Sequence, residues 1–344
     1  MKAHRLILQF HITGRCNLNC KHCYRDSDDA KELSFDDIKS VIDQFLLLRK
    51  KYNKEHNIFC KGHINITGGE PFFRNDILDI LSYLHSKKKE ISYGVLSNGS
   101  FIDENIMIAL AYTRAAFVQL SIDGDEKTHD GLRKKGDYIR TFNKAAELEG
   151  FGIRTFVSFT ANKDNYRYLP IVAKKCRKNG ISKLWTDRLV PIGSGASMSD
   201  IVITANEMKD YVNTIKKAQG NYITRKIFPY TEVSANRALQ FIGGNECTYR
   251  CSAGESLITV DEFGNIVPCR RMPIICGNIF TSTLEDIYYT NEIFIDLRKH
   301  MIPEKCKSCL HGEKCRGGAR CQAYAAYGSY NEADPGCFFI LMRR

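Results

Sequence analysis

No stretch of the 344 residues approaches the run of about 18 apolar side chains that a membrane-spanning helix needs. No signal peptide is present either, because Met1-Lys2-Ala3-His4 leads directly into an apolar, strand-like run. These absences argue against a helical membrane anchor and a conventional secretory route, and the expected location is the cytoplasm. A nucleic-acid-binding motif is also missing, although the formal net charge is +11. The basic runs Arg49-Lys50-Lys51, Lys87-Lys88-Lys89 and Arg133-Lys134-Lys135 are separated by whole elements, and no single basic tract is interleaved with aromatics. DNA or RNA as substrate is disfavoured, and an acidic peptide partner suits the charge equally well.

Cysteine, by contrast, is abundant. Fourteen cysteines in a reducing compartment argue for metal binding or catalysis rather than disulfides. Three of them, Cys16, Cys20 and Cys23, are spaced C-x3-C-x2-C directly after the first apolar run. Three thiolates bind a metal centre and leave one position open, the property that separates a catalytic site from a closed structural one. A structural zinc knuckle and unrelated buried thiols are the bland alternatives.

With 43% hydrophobic residues the chain can bury one α/β core and still form a smaller second module. Leu6 to Thr13 reads as a strand, and Ser34-Phe35-Asp36-Asp37 offers an N-cap for a helix through about Arg49. His63 to Thr67, Ser92 to Ser97, Phe117 to Ile122, Arg154 to Thr160 and Lys183 to Val190 read as five further strands. Helical patterns over Asp76 to Leu84, Ile102 to Ala111, Tyr138 to Glu149 and Tyr166 to Asn179 alternate with them, and a long loop precedes Arg133. Such alternation implies parallel strands joined by right-handed crossovers, with ligands at the C-terminal strand ends. The cysteine loop, Gly68-Gly69-Glu70-Pro71, Asn98-Gly99, Ser121 and Asp123 all fall on that rim. After Gly193-Ser194-Gly195 the alternation stops, and Thr204 to Gln219 and Ser234 to Phe241 read as connecting helices without repeats or low-complexity tracts.

A second cysteine field begins at Cys247 and includes Cys251, Cys269, Cys276, Cys306, Cys309, Cys315, Cys321 and Cys337. Between Cys251 and Cys269, two apolar runs flank a turn at Gly264, so this segment reads as a β-hairpin. Two structural zinc sites of four thiolates each are one reading of the field. Iron-sulfur clusters are another.

The loop Cys16-x3-Cys20-x-His22-Cys23 resembles that of the radical S-adenosylmethionine (SAM) enzymes, with His22 in the aromatic slot. The resemblance implies a (β/α)6 partial TIM barrel and a [4Fe-4S] cluster on Cys16, Cys20 and Cys23 whose open iron chelates SAM. It also implies reductive cleavage of SAM to a 5′-deoxyadenosyl radical. Gly68-Gly69-Glu70-Pro71 is similar to the motif that holds the SAM amino group, and Tyr24, at the end of the loop, counts among the cofactor-contacting positions. Ser97, Asn98, Ser121 and Asp123 resemble the ribose-contacting strand ends, though Asn98 and Asp123 suit turns equally well. Arg133 resembles a position that pairs with the SAM carboxylate, and a surface arginine is the alternative.

The second field resembles the SPASM domain of peptide-modifying radical SAM enzymes. Carried over residue by residue, Cys247, Cys251, Cys269 and Cys321 hold one auxiliary [4Fe-4S] cluster, and Cys306, Cys309, Cys315 and Cys337 hold another. The departure is Cys315-x5-Cys321, longer by two residues around Gly317-Gly318. Eleven thiolates on three clusters of core charge +2 would remove roughly five positive charges. The expected organisation is a partial barrel over residues 1–200, a helical bridge over 201–245 and a SPASM domain over 246–344.

The implied function is a maturase of ribosomally synthesised peptides that makes a thioether or carbon-carbon crosslink, with an external reductant such as flavodoxin or ferredoxin. The first strand begins at once, so an N-terminal leader-recognition domain is not expected, and a separate recognition protein is a candidate partner. Anaerobic sulfatase maturation is an alternative, but that family places a base directly after the hairpin's second cysteine, where this chain has Arg270. Peptide epimerisation and a non-catalytic electron carrier are the others. Cys60, Cys176 and Cys276 are left without a cluster. Cys276 reads as packing, as an alternative ligand or as a hydrogen-atom donor.

Overall fold

The computed structural model describes residues 5–26, 32–220, 231–234, 239, 250–299 and 301–339. The first half alternates β1 (Ile7–His11), α1 (Phe35–Glu55), β2 (Gly62–Thr67), α2 (Ile77–Ser86), β3 (Ile91–Leu96) and α3 (Glu104–Tyr112). It continues with β4 (Val118–Ser121), α4 (Glu126–Leu132), α5 (Asp137–Gly150), β5 (Thr155–Ala161), α6 (Leu169–Lys178), β6 (Lys183–Arg188) and α7 (Ala205–Gln219). Strands β1 to β6 pair in parallel and in sequence order, so the chain forms the expected α/β partial barrel.

Local chemistry explains the start of α1. Ser34 Oγ accepts the Asp37 N–H at 3.1 Å, while the Asp37 carboxylate accepts the Ser34 N–H at 3.0 Å, a reciprocal cap of two otherwise orphaned donors. The helix outlasts its expected end near Arg49 because tertiary partners hold its last turns. Lys51 pairs with Glu285 at 2.9 Å and Glu55 accepts the Tyr289 hydroxyl at 2.5 Å, both from the helix Leu284–Thr290.

Strand side chains alternate between two faces. Leu8 and Phe10 of β1, Ile64 and Ile66 of β2, and Val118 and Leu120 of β4 are fully buried in one core with Ile38, Val41 and Phe45 of α1. Thr67, Gln119, Ser121, Ser158 and Trp185 take the alternate positions and line a cavity. A parallel sheet packed on both faces would read as unbroken apolar runs; these strands alternate because their inner face is polar.

Two expectations are corrected. The segment before Arg133 contains α4, capped by Asp125, which accepts the Thr128 N–H at 2.9 Å. Ser234 closes a short strand β7 (Glu232–Ser234) rather than opening a helix, because Lys183 to Trp185 of β6 offer it an edge to pair with. The rest of that expected helix lies outside the described residues except Leu239. The expected hairpin in the cysteine-rich segment is present, and the structure adds where it pairs. Strands β8 (Leu257–Val260) and β9 (Asn265–Val267) pair antiparallel, and β8 joins β1 in parallel. With β10 (Gly277–Asn278) the result is one sheet, ordered β10-β9-β8-β1-β2-β3-β4-β5-β6-β7. Among the described residues no helix is long and apolar enough to cross a membrane.

Candidate active site and auxiliary cysteine centres

The cysteine loop leaves the C-terminal end of β1 and is gripped from two sides. On one side, Gly69 N–H donates to Thr13 O at 2.9 Å and Glu70 N–H to Arg15 O at 2.8 Å. Approach this close requires glycine. A Cβ on Gly68 would lie 2.4 Å from Thr13 O, and one on Gly69 would lie 2.1 Å from Arg15 O. On the other side, Gly195 N–H donates to Cys23 O at 2.8 Å, and a Cβ on Gly193 would lie 2.5 Å from the Tyr24 carbonyl carbon. The segment where the alternating pattern ends is therefore the second clamp on the loop. Its Gly-Ser-Gly was the signal.

Cys16, Cys20 and Cys23 face a cavity of about 210 Å³ whose walls include Tyr24, Gly68, Gly69, Ser97, Asn98, Ser121 and Arg133. Asn98 Nδ2 donates to Asn17 Oδ1 at 2.8 Å and approaches Cys16 Sγ at 3.9 Å. Arg133 Nη1 lies 3.7 Å from Cys20 Sγ. Burial pushes the Cys20 thiol up to about 11 against the pull of Arg133. Neutral thiols of this kind deprotonate when a metal binds them.

Glu70, Pro71 and Asp123 stand behind the cavity wall rather than in it. The Glu70 carboxylate is fully buried and accepts from Ser97 Oγ at 2.7 Å, Asn98 N–H at 2.7 Å and Phe72 N–H at 3.1 Å. It ties the ends of β2 and β3 together, and burial pushes its pKa up to about 7. Pro71 opens a single 3-10 turn. Asp123 accepts from Arg133 Nε at 2.6 Å and from Thr160 N–H at 2.8 Å, with His22 Nε2 at 3.4 Å. Burial alone would raise Asp123, but Arg133 and then His22 and His129 hold it down at about 2. Its carboxylate is spent inside the protein, on the arginine that approaches Cys20.

Sequence reasoning missed Gln119, Ser158, Thr160, the run Trp185 to Val190, Arg270 and Arg271, all of which line the same cavity. The rule that ligands sit at strand C-termini pointed to the end of β6. Arg270 and Arg271 had no such signal, because only the sheet brings the hairpin's far end to the barrel mouth. The Arg270 guanidinium stands 5.2 Å from the Tyr24 ring centroid.

In the second field, Cys306, Cys309, Cys315 and Cys337 surround a void of about 20 Å³ with His311, Gly312, Gly317 and Phe339. Cys309 N–H donates to Cys306 O at 3.0 Å and Cys315 N–H to His311 O at 2.7 Å, so tight turns set the spacing. Cys251, Cys269 and Cys321 pack together around Ala253, Met272 and Leu297, and Cys247 lies outside the described residues. The extra length before Cys321 is absorbed by Gly317 and Gly318, with φ of 88° and 84°. Cys276 belongs instead to the main core, where its thiol donates to Ile274 O at 3.3 Å. The thirteen described cysteines are all free thiols.

Two of the three implied cysteine sets are placed so that their donor chemistry suits such a group, while the third includes Cys247, outside the described residues. One cavity is lined by three thiols and by Gln119, whose buried Oε1 has no protein partner, and one void is enclosed by four cysteines.

Residues 10–190 match the Radical SAM superfamily and residues 251–310 match an iron-sulfur cluster-binding domain, SPASM. The chain belongs to the radical SAM superfamily and is an enzyme of that class, with a SPASM domain at its C-terminal side, using SAM and [4Fe-4S] chemistry. It is 25% identical to the AdoMet-dependent heme synthase of Nitratidesulfovibrio vulgaris, covering 97% of this chain and 92% of that one. It is also 25% identical to the mycofactocin maturase MftC of Mycolicibacterium smegmatis, over 96% of this chain and 82% of that one. Among solved structures, Streptococcus suis SuiB bound to SAM superposes with a TM-score of 0.74 at 18% identity, covering 97% of this chain and 77% of SuiB.

Proposed function

We propose that this enzyme is a peptide maturase that uses the 5′-deoxyadenosyl radical to oxidise a peptide side chain, with a thioether or carbon-carbon crosslink as the favoured product. The observation that carries the reading is the shared wall: Arg270 and Arg271, directly after the auxiliary ligand Cys269, line the cavity that Cys16, Cys20 and Cys23 face. A chamber built against an auxiliary centre suits a reaction in which the substrate must lose an electron after losing a hydrogen atom. The resemblance to MftC supports a peptide substrate.

In this reading Cys16, Cys20 and Cys23 hold the SAM cluster. Cys247, Cys251, Cys269 and Cys321 hold a second, and Cys306, Cys309, Cys315 and Cys337 hold a third. SAM on the first cluster supplies the radical that abstracts hydrogen. The chain's own residues order that site. Gly68 and Gly69 permit the loop to close on β2, and Arg133, anchored by Asp123, stands at Cys20 as a cation for the SAM carboxylate. Ser97, Asn98, Ser121 and Tyr24 offer polar contacts on the wall, while Glu70 positions the first two of them. Residues 1–200 form the catalytic barrel, 201–245 the bridge and 246–344 the auxiliary domain. Free thiols suit a reducing cytoplasm, with a flavodoxin or ferredoxin as donor and a separate protein presenting the leader.

A second reading, a tetrapyrrole substrate, is favoured by the similarity to heme synthases and by the arginines of the cavity. Anaerobic incubation with SAM, a reductant and a candidate cysteine-containing precursor separates the two. The maturase reading expects a peptide that has lost two hydrogens. Conversion of an iron porphyrin with untouched peptide, or a peptide of unchanged mass, would refute it.

A further inference from the structure

The C-terminal end of β6 carries two consecutive charged residues that neither radical generation nor SAM binding uses. Neighbours on a strand point to opposite faces. Asp187 turns one way and pairs with Arg271, two positions after Cys269. Arg188 turns the other way and grips Asp334, three positions before Cys337, through two parallel hydrogen bonds, of which Nη1 to Oδ1 is 2.9 Å.

The second pair is deeply buried, its side chains 3% and 0% exposed, and Asp334 is the hub of its neighbourhood. Its carboxylate also accepts the N–H of Ala319 at 3.0 Å and of Gly336 at 2.9 Å. Its backbone bonds Gly317 O at 2.8 Å and Cys337 N at 3.0 Å. Thus one carboxylate organises the loop between Cys315 and Cys321 and the turn that presents Cys337. The fit leaves no slack, since a Cβ on Gly318 would lie 2.6 Å from Asp334 Cβ and one on Gly336 2.2 Å from Arg188 Nη1. Gln322, beside Cys321, adds a buried hydrogen bond of 2.9 Å to Leu189 O. Packing alone would be served as well by apolar groups, whereas a two-pronged guanidinium-carboxylate contact fixes orientation.

We propose that Asp187 and Arg188 are positioning residues that dock the two auxiliary cluster segments against the reaction cavity, one segment each. The proposal rests on the auxiliary-cluster assignment above. In a crosslinking turnover the substrate C–H bond breaks and its hydrogen atom goes to the 5′-deoxyadenosyl carbon. Closing the new bond releases one electron and the partner group's proton, the proton to water, and an auxiliary [4Fe-4S] group held by these cysteines would supply the acceptor for that electron. That electron transfer depends on where the auxiliary segments sit relative to the cavity, and β6 sets the placement. Arg271 also places a guanidinium cation two positions after Cys269, and a positive charge near a cluster held there would favour its reduced form.

The test uses the full-length, anaerobically reconstituted protein. In a Cys16→Ala, Cys20→Ala, Cys23→Ala background only auxiliary centres give electron paramagnetic resonance signals. There, Arg271→Gln should alter one signal and lower its midpoint potential, Arg271→Lys should stay close to wild type, and Asp334→Asn should alter the other signal. With the SAM site intact, the ratio of peptide product to 5′-deoxyadenosine should fall about tenfold in Arg271→Gln and recover in Arg271→Lys. Unaltered signals in both Arg271→Gln and Asp334→Asn, or equal losses in the Gln and Lys variants, overturn the proposal. Altered signals in a protein that modifies no peptide leave the dock standing and remove the maturase reading. Peptide product with unaltered signals does the reverse.

Discussion

Replacing Gly69 by alanine adds one methyl group where the structure has no room for it. The new Cβ would lie 2.1 Å from Arg15 O, 2.6 Å from Arg15 C and 2.8 Å from Gly14 O. All three are backbone atoms, so no side chain can swing aside. Restoring ordinary contact requires the chain at Arg15 to move by roughly 1 Å, or β2 to withdraw by as much, with a packing cost of about 1–3 kcal/mol. Arg15 precedes Cys16, a cluster ligand in the proposed function, so the displacement passes directly into the geometry of that ligand. A misplacement of about 1 Å typically costs about 100-fold in rate. Gly69→Ala should therefore cut SAM cleavage, read as 5′-deoxyadenosine released per minute, by about two orders of magnitude, while the protein stays folded. The control is Gly131→Ala within α4, where an added Cβ meets nothing within 4 Å. It should leave cleavage intact and raise stability by about 0.5–1 kcal/mol, as alanine does in helices. Near-wild-type cleavage by Gly69→Ala would show that β2 does not set the loop.

Cys276→Ala should keep the full iron content and still make product, because its thiol sits in the main core and bonds Ile274 O. Loss of about four irons per chain would make it a ligand, and intact SAM cleavage without product would make it a hydrogen donor. Glu70 gives a pH signature of the opposite sign to a salt-bridged acid. Its folded pKa of about 7 lies above the unfolded value of 4.5, so between those pH values the unfolded chain releases a proton that the folded one retains. Stability falls as pH rises through that window. Relative to Glu70→Gln, wild type should lose about 2 kcal/mol between pH 5 and pH 8 in anaerobic urea melts. A difference that does not change with pH would show that Glu70 is ionised throughout.

The sequence by itself determined the elements whose signals are local. The apolar run of Leu6 to Thr13, the reciprocal cap at Ser34 and the glycine turn of the hairpin each state their structure within a few residues, and a strand over Ile7–His11, the cap and the hairpin all form. The cysteine spacing was equally local, and it drew the chemistry and the barrel rim with it. Tertiary structure decided what depends on pairing between distant segments. Nothing near Leu257 says that β8 will join β1, because an edge strand takes whichever partner offers free N–H and C=O groups, and that partner lies about 250 residues away. The same pairing carries Arg270 and Arg271 to the barrel mouth. Asp123 and Glu70 illustrate the converse. Their motifs placed them on the rim, but only the fold shows the donors that their buried carboxylates gather, namely Arg133, Thr160, Ser97 and Asn98.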